Sequence, residues 1–246
     1  MIRNKKMFKK MLVKKVALGL IVCGVSLFSV QSQAAVIASF DAKVDIEVSS
    51  TFVTTEFETE LCCNDVYVEG SASGEASGSG DAGPVTLGAG EIGTLNALAS
   101  GEVTGLGGYV DSVWSTFGSL FIDNSSGTSS ITGDVFFDIS WSASIFTDSL
   151  YSEALAGAWI YIENSYDNII FDDYIEFDSL LDGPGAFGAT QMFSVNVTDV
   201  TIAAGDYEEY YITIAAEGLA NVPEPGGVLL AGLALLLAVR KRKMSA

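Results

Sequence analysis

The densest group of side chains able to bind or catalyse is Asp172, Asp173, Glu176, Asp178 and Asp182, within Phe-Asp-Asp-Tyr-Ile-Glu-Phe-Asp-Ser-Leu-Leu-Asp-Gly. On a strand, Asp172, Glu176 and Asp178 share one face, the last two with Cα atoms ~6.8 Å apart. Joined by a carbonyl or water, these three are candidate ligands for Ca²⁺, a hard cation that takes six to eight oxygens. The spacing matches neither an EF-hand loop nor a calcium-binding nonapeptide repeat, and in so acidic a segment the competing reading is a solvated face. A glycoside hydrolase needs only two carboxylates about 5–9.5 Å apart; many pairs here meet that condition, and no catalytic signature surrounds any of them. The chain contains no histidine, which excludes serine–histidine catalysis and histidine-ligated metal sites.

Two other residue types carry possible chemistry. Cys62 and Cys63 are adjacent, with Cα atoms ~3.8 Å apart across a trans peptide, below the usual span of a disulfide. A vicinal ring, an intermolecular bridge, and one buried with one exposed thiol all remain open. Nucleophilic or redox catalysis at this pair lacks the neighbouring base or cation it needs. For sugar stacking, the candidates are Trp114, Trp141, Trp159 and the group Tyr207, Tyr210 and Tyr211. Trp141 falls on an apolar strand face and reads as core. Tyr207 and Tyr211 have the opposite parity from Tyr210 and Ile212, so they read as surface.

The elements that position these residues follow from charge and periodicity. Seven of the twelve cations lie before residue 16 and four at 240–243. Between Val36 and Val222, Lys43 alone faces thirty acidic residues, a net charge of −29. Such a domain repels nucleic acid and anionic headgroups, because phosphate is bound chiefly through Lys and Arg. Its natural counter-charges are divalent cations, basic polymers or salt. The segment is long enough and rich enough in Val, Ile, Phe, Tyr and Trp to bury one core.

Period-two alternation predicts strands. Phe40, Ala42, Val44, Ile46 and Val48 alternate with Asp41, Lys43, Asp45 and Glu47. Thr51 to Leu61 alternates again, with Val53, Thr55, Phe57 and Leu61 opposite Glu56, Glu58 and Glu60, and a short turn between the two predicts antiparallel neighbours. Further apolar faces are Val135 to Ile145, Phe193-Val195-Val197 and Tyr210-Ile212-Ile214-Ala216. The expected fold is all-β, a single β-sandwich, jelly-roll-like, over 35–221. Gly70 to Gly90, with seven glycines, reads as a long loop or weak edge meander; it lacks the helix and lysine of a phosphate cradle.

Both ends read as addresses. Met1 to Lys15 is basic, Val16 to Val30 is apolar, and Ser32-Gln33-Ala34 supplies small residues, so 1–34 is expected to be a signal peptide cleaved after Ala34. Val22 before Cys23 argues against lipidation. Residues 222–246 hold Pro223-Glu224-Pro225, an uncharged run from Gly226 to Val239, and Arg240-Lys241-Arg242-Lys243. The two prolines force extended backbone. As a helix the run reaches roughly 21 Å, short for a permanent span, and the four cations are a stop-transfer signal that stays in the cytoplasm.

This three-part order resembles the PEP-CTERM sorting signal of Gram-negative bacteria. The resemblance covers only about the last two dozen residues. It implies recognition of Pro223-Glu224-Pro225 by an exosortase, transient residence in the inner membrane after passage through the secretion machinery and signal peptidase, and release to the cell surface or an exopolysaccharide matrix. Taken together, the chain reads as a non-enzymatic exported surface or matrix protein, with no catalytic residue, no nucleic acid partner and no cofactor beyond the Ca²⁺ candidate. The alternatives are a carbohydrate-binding module or extracellular glycoside hydrolase, and a retained single-pass membrane anchor.

Overall fold

The structure of the chain is a computed structural model that describes residues 38–80 and 83–224. Ala34, Pro225, the apolar run and Arg240 to Lys243 lie outside the described residues, and among those described no helix is long and apolar enough to cross a membrane.

Among the described residues eleven strands form two antiparallel sheets, the β-sandwich expected from the alternation. They are β1 (Ala38–Ser50), β2 (Thr54–Glu69), β3 (Ala72–Gly80), β4 (Val85–Gly88), β5 (Ile92–Val103), β6 (Gly108–Asp123), β7 (Ile131–Thr147), β8 (Glu153–Asn164), β9 (Ile169–Asp178), β10 (Gly185–Ile202) and β11 (Tyr207–Val222). One short helix, α1 (Ser179–Asp182), follows β9. Sheet A runs β10-β7-β1-β5-β3 and sheet B runs β4-β2-β6-β11-β8-β9. Successive strands change sheet at every connection but one, the β8–β9 hairpin.

Strand β1 sets the pattern. Every even residue from Ala38 to Ser50 is buried, while Asp41, Lys43, Asp45 and Glu47 point outward. It pairs over most of its length with β5 and β7, and its inner face meets β11 and β8 across the sandwich. Trp141, Tyr210, Phe57 and Phe137 are the largest fully buried side chains, each stabilising the fold by about 1.5–3 kcal/mol through burial.

The two sheets approach closely because large rings sit over residues without side chains. Phe40 of sheet A lies over Gly218 of sheet B, where an added Cβ would come within 2.1 Å of its ring; Phe57 covers Gly93 and Trp114 covers Gly78 across the sandwich in the same way, and within sheet A the register partner Gly101 leaves room for the Phe40 ring. Gly74, Gly78 and Gly80 therefore belong to β3 and face inward, opposite Val110, Trp114 and Thr59. Of the two expectations for Gly70 to Gly90, the edge meander is what forms: β3 and β4 are edge strands of opposite sheets. Gly70 turns the chain between β2 and β3 with φ 62°, a conformation that glycine adopts without steric cost.

One expectation is corrected. β1 and β2 are not neighbours in a sheet; they lie in different sheets, joined by Thr51–Val53. Each is covered by other strands across the sandwich, β1 by β11 and β8 and β2 by β3, so adjacency in sequence does not decide their pairing. Phe52 plugs the crossing, 4% exposed, whereas Val53, expected on the inner side, is 85% exposed. Further along β2, the extra residue at Cys63 makes a β-bulge against Ser115 and Trp114, after which Asn64, Val66 and Val68 take the inward parity. Cys62 and Cys63 are bonded to each other at this bulge, the vicinal ring among the three alternatives.

If ring-over-glycine packing sets the sheet spacing, Gly218→Ala destabilises the protein by about 1–3 kcal/mol in urea denaturation. Adding Phe40→Leu recovers part of that loss; a strictly additive double variant contradicts the account.

Candidate functional site

The outer faces of the two sheets differ in chemistry. Sheet A presents Ser73, Ser77, Ser140, Ser142 and Ser144 around Asp41, Asp45 and Glu47, with Lys43 paired to Asp45 at 2.8 Å. Sheet B presents aromatic rings among carboxylates. The reason is parity: Ala154, Ala156, Ala158, Ile160 and Ile162 of β8 are buried, which turns Leu155, Gly157, Trp159, Tyr161 and Glu163 outward. In β11 the buried Tyr210, Ile212, Ile214 and Ala216 likewise turn Glu209, Tyr211, Thr213, Ala215 and Glu217 to solvent.

Register brings these residues into rows. Trp159 stands between Ala215 of β11 and Tyr174 of β9, and Gly157 stands between Glu217 and Glu176. Because Gly157 and Ala215 project almost nothing, a cleft of about 180 Å³ opens over them, walled by Trp159, Tyr174, Glu176 and Glu217. Trp159 is 38% and Tyr174 69% exposed. Trp159 stacks on Tyr161 with centroids 6.2 Å apart and planes at 16°. Elsewhere on the same face Phe117 stands beside Thr213, and Phe121 has its ring 5.3 Å from that of Tyr207.

Several of these rings are held in place. Tyr161 donates to Glu163 Oε2 at 2.7 Å and Tyr211 to Glu209 Oε2 at 2.8 Å. Tyr67 donates to Glu69 in the same two-residue arrangement. In all three that bond is the main reason the phenol's pKa is raised. A charge-assisted bond of this kind restrains the ring's rotamer as well as satisfying the hydroxyl.

Glu217 is the perturbed carboxylate of the cleft. Burial raises its pKa first, then repulsion from Glu176 and Asp111; the residue keeps solvent access, so that burial is partial. Glu208, on the inward side of β11, is buried with Oε1 unpaired, and burial again leads in raising its pKa, followed by Asp206, against a hydrogen bond from Asn164 that lowers it.

The residues singled out in the sequence distribute as follows. Asp172, Glu176 and Asp178 do share the outer face of β9, but Tyr174 separates the first two, whose Cα atoms lie roughly 13 Å apart along the strand. Asp178 caps α1, accepting from Leu180 N at 2.8 Å. Among the described residues no three Asp, Glu, Cys or His converge in a way that could hold a metal ion. Trp141 is core, as expected; Trp114 is half-buried and donates to Thr116 Oγ1 at 2.6 Å. Tyr207 and Tyr211 are on the surface and Tyr210 is buried, matching their parity. Pro223 and Glu224 emerge exposed beyond β11. Tyr174, Tyr161 and Glu217 were not singled out for this face; the alternation of Ala154, Ala156 and Ala158 was the available signal for β8.

No family model and no curated protein matches the chain. Solved structures give faint likenesses. A protein assigned as a β-galactosidase from Bacteroides fragilis is 14% identical, over 63% of this chain and 25% of that one, with TM-score 0.17. A glycosyl hydrolase family 2 member from Bacteroides cellulosilyticus DSM 14838 is 9% identical over 63% and 21%, with TM-score 0.16. The chain thus spans a quarter or less of these proteins, and similarity this low carries no argument about activity.

Because Glu208 and Glu217 have folded-state pKa values above the ordinary carboxylate, their ionisation opposes folding: stability is greatest below the unfolded pKa and is lost as pH rises through the folded one. Glu208→Gln and Glu217→Gln are therefore each expected to raise the urea midpoint at pH 7. That gain disappears as the pH falls below about 4.3; a gain that persists there contradicts the assignment.

Proposed function

We propose that this chain is an exported, non-enzymatic protein of the cell surface or exopolysaccharide matrix, sorted by an exosortase through its C-terminal signal. The observation that carries the reading is the ordered tail of Pro223-Glu224-Pro225, uncharged Gly226 to Val239 and Arg240 to Lys243. Its first two residues follow the last described strand: β11 stops at Val222, and Pro223 and Glu224 are exposed and without secondary structure. The leader 1–34 supplies passage through the secretion machinery and signal peptidase.

A jelly-roll-like arrangement is favoured by strand order. The single in-sheet hairpin is β8–β9, and β6-β11-β8-β9 faces β5-β1-β7-β10, the two four-stranded layers of a jelly roll with the chain's first strand taking the place of the last. A second reading, a carbohydrate-binding module, is favoured by the cleft at Trp159 and Tyr174, and it is compatible with residence in a polysaccharide matrix. Nucleic acid is disfavoured as a partner by the charge of −29 over Val36–Val222.

Intact-mass measurement on protein recovered from its host tests sorting directly. The expected species lacks residues 1–34 and also lacks Arg240 to Lys243, and deleting the exosortase restores the basic tail. A mature protein that keeps those four cations in both strains is a retained anchor and overturns the proposal. Release of reducing ends from matrix polysaccharide by the purified protein overturns its non-enzymatic part.

A further inference from the structure

We propose that the cleft on the outer face of sheet B binds one residue of a cationic amino-sugar polysaccharide, its pyranose ring stacked on Trp159 and Tyr174 and its ammonium between Glu176 and Glu217. This rests on the matrix reading above and names the ligand class for it. Three properties of the site lead to it.

The first is apolar area kept in water. Trp159, Tyr174, Phe117, Tyr207 and Tyr211 are all at least 38% exposed on one sheet face, and leaving apolar surface wet forfeits about 25 cal/mol per Å². Trp159 and Tyr174, neighbours in register, form the part of that surface that lines the cleft, and exposed apolar surface so placed marks an interaction site. Tyr161 is held by Glu163 and stacks on Trp159, which reduces the ordering that Trp159 loses on binding.

The second property is charge. Glu176 and Glu217 flank Gly157 in register, their backbones roughly two strand spacings or ~9.6 Å apart. Any ring that covers the cleft withdraws water from both carboxylates, which is costly unless the occupant brings a compensating positive charge. A neutral sugar lacks that charge and a uronic acid or phosphate carries the wrong one. Lys43, the sole cation among the described residues, lies on the outer face of the other sheet.

The third is backbone. β11 and β8 are hydrogen-bonded on both sides, so a peptide lying across them gains no main-chain bonds and no strand addition. A pyranose needs only a flat apolar surface and acceptors for its hydroxyls and ammonium. Sugar is thereby favoured over a basic peptide.

The test uses the full chain in nanodiscs and calorimetric titration with glucosamine oligomers, their N-acetylated counterparts and oligolysine. Glucosamine oligomers are expected to bind at least about tenfold more tightly than N-acetylated ones. Trp159→Ala loses a similar factor while the far-ultraviolet circular dichroism is unchanged, and Glu217→Gln abolishes the preference for the free amine. Equal affinity for the two oligomers, undiminished binding by Trp159→Ala, or equal competition by oligolysine overturns the proposal. None of these results bears on tail removal, so the site can fail while sorting to the matrix stands. Conversely, a retained tail leaves the binding data intact.

Discussion

The face-to-face approach of the two sheets is the constraint on which the molecule depends. It is set by rings lying over glycine in the opposite sheet: Phe40 over Gly218, Phe57 over Gly93, and Trp114 over Gly78. Close packing of this kind has no slack for a misplaced methyl. It also fixes parity, since a strand that slips by one residue turns its whole apolar set to water. Parity in turn decides that Trp159, Tyr161, Glu217 and Tyr174 face outward. The chemistry of the outer surface is thus a consequence of how the core closes.

Changing sheet at nearly every connection has a related effect. A strand such as β1, buried along one entire face, is covered by β11 and β8, with β5 and β7 supplying its hydrogen bonds. Most of the contacts are therefore between residues far apart in sequence, a topology that folds slowly and leaves edges to be protected. β9, an edge strand, carries Asp172, Asp173, Glu176 and Asp178. On this view part of the acidic cluster discourages edge-to-edge association, which is consistent with its failure to gather around one point.

How much of this was legible in the sequence depended on residue type. β1, β7 and β11 alternate large apolar residues with charged or hydroxyl ones, and their inner faces are as the period predicts. β5 and β8 use Ala97, Ala99, Ala154, Ala156 and Ala158 as core; alanine is small enough for either face, so the period fades there. Glycines at 74, 78 and 80 read only as loop or weak edge meander because their purpose, making room for Val110, Trp114 and Thr59, lies in the partner sheet. Pairing was illegible where proximity in sequence suggested a hairpin between β1 and β2, whereas the strands that pair with and cover each of them come from elsewhere in the chain. The cleft is assembled by register across β11, β8 and β9, and no local pattern announces it.

The central claim is that sheet B, and not sheet A, is the working surface of the folded domain. Hydroxyl-radical footprinting of the full chain with and without a glucosamine oligomer reads this residue by residue. Protection is expected at Trp159 and Tyr174, with Met192 on the outer face of sheet A unchanged. Protection confined to sheet A, or a uniform pattern across both faces, would contradict the account.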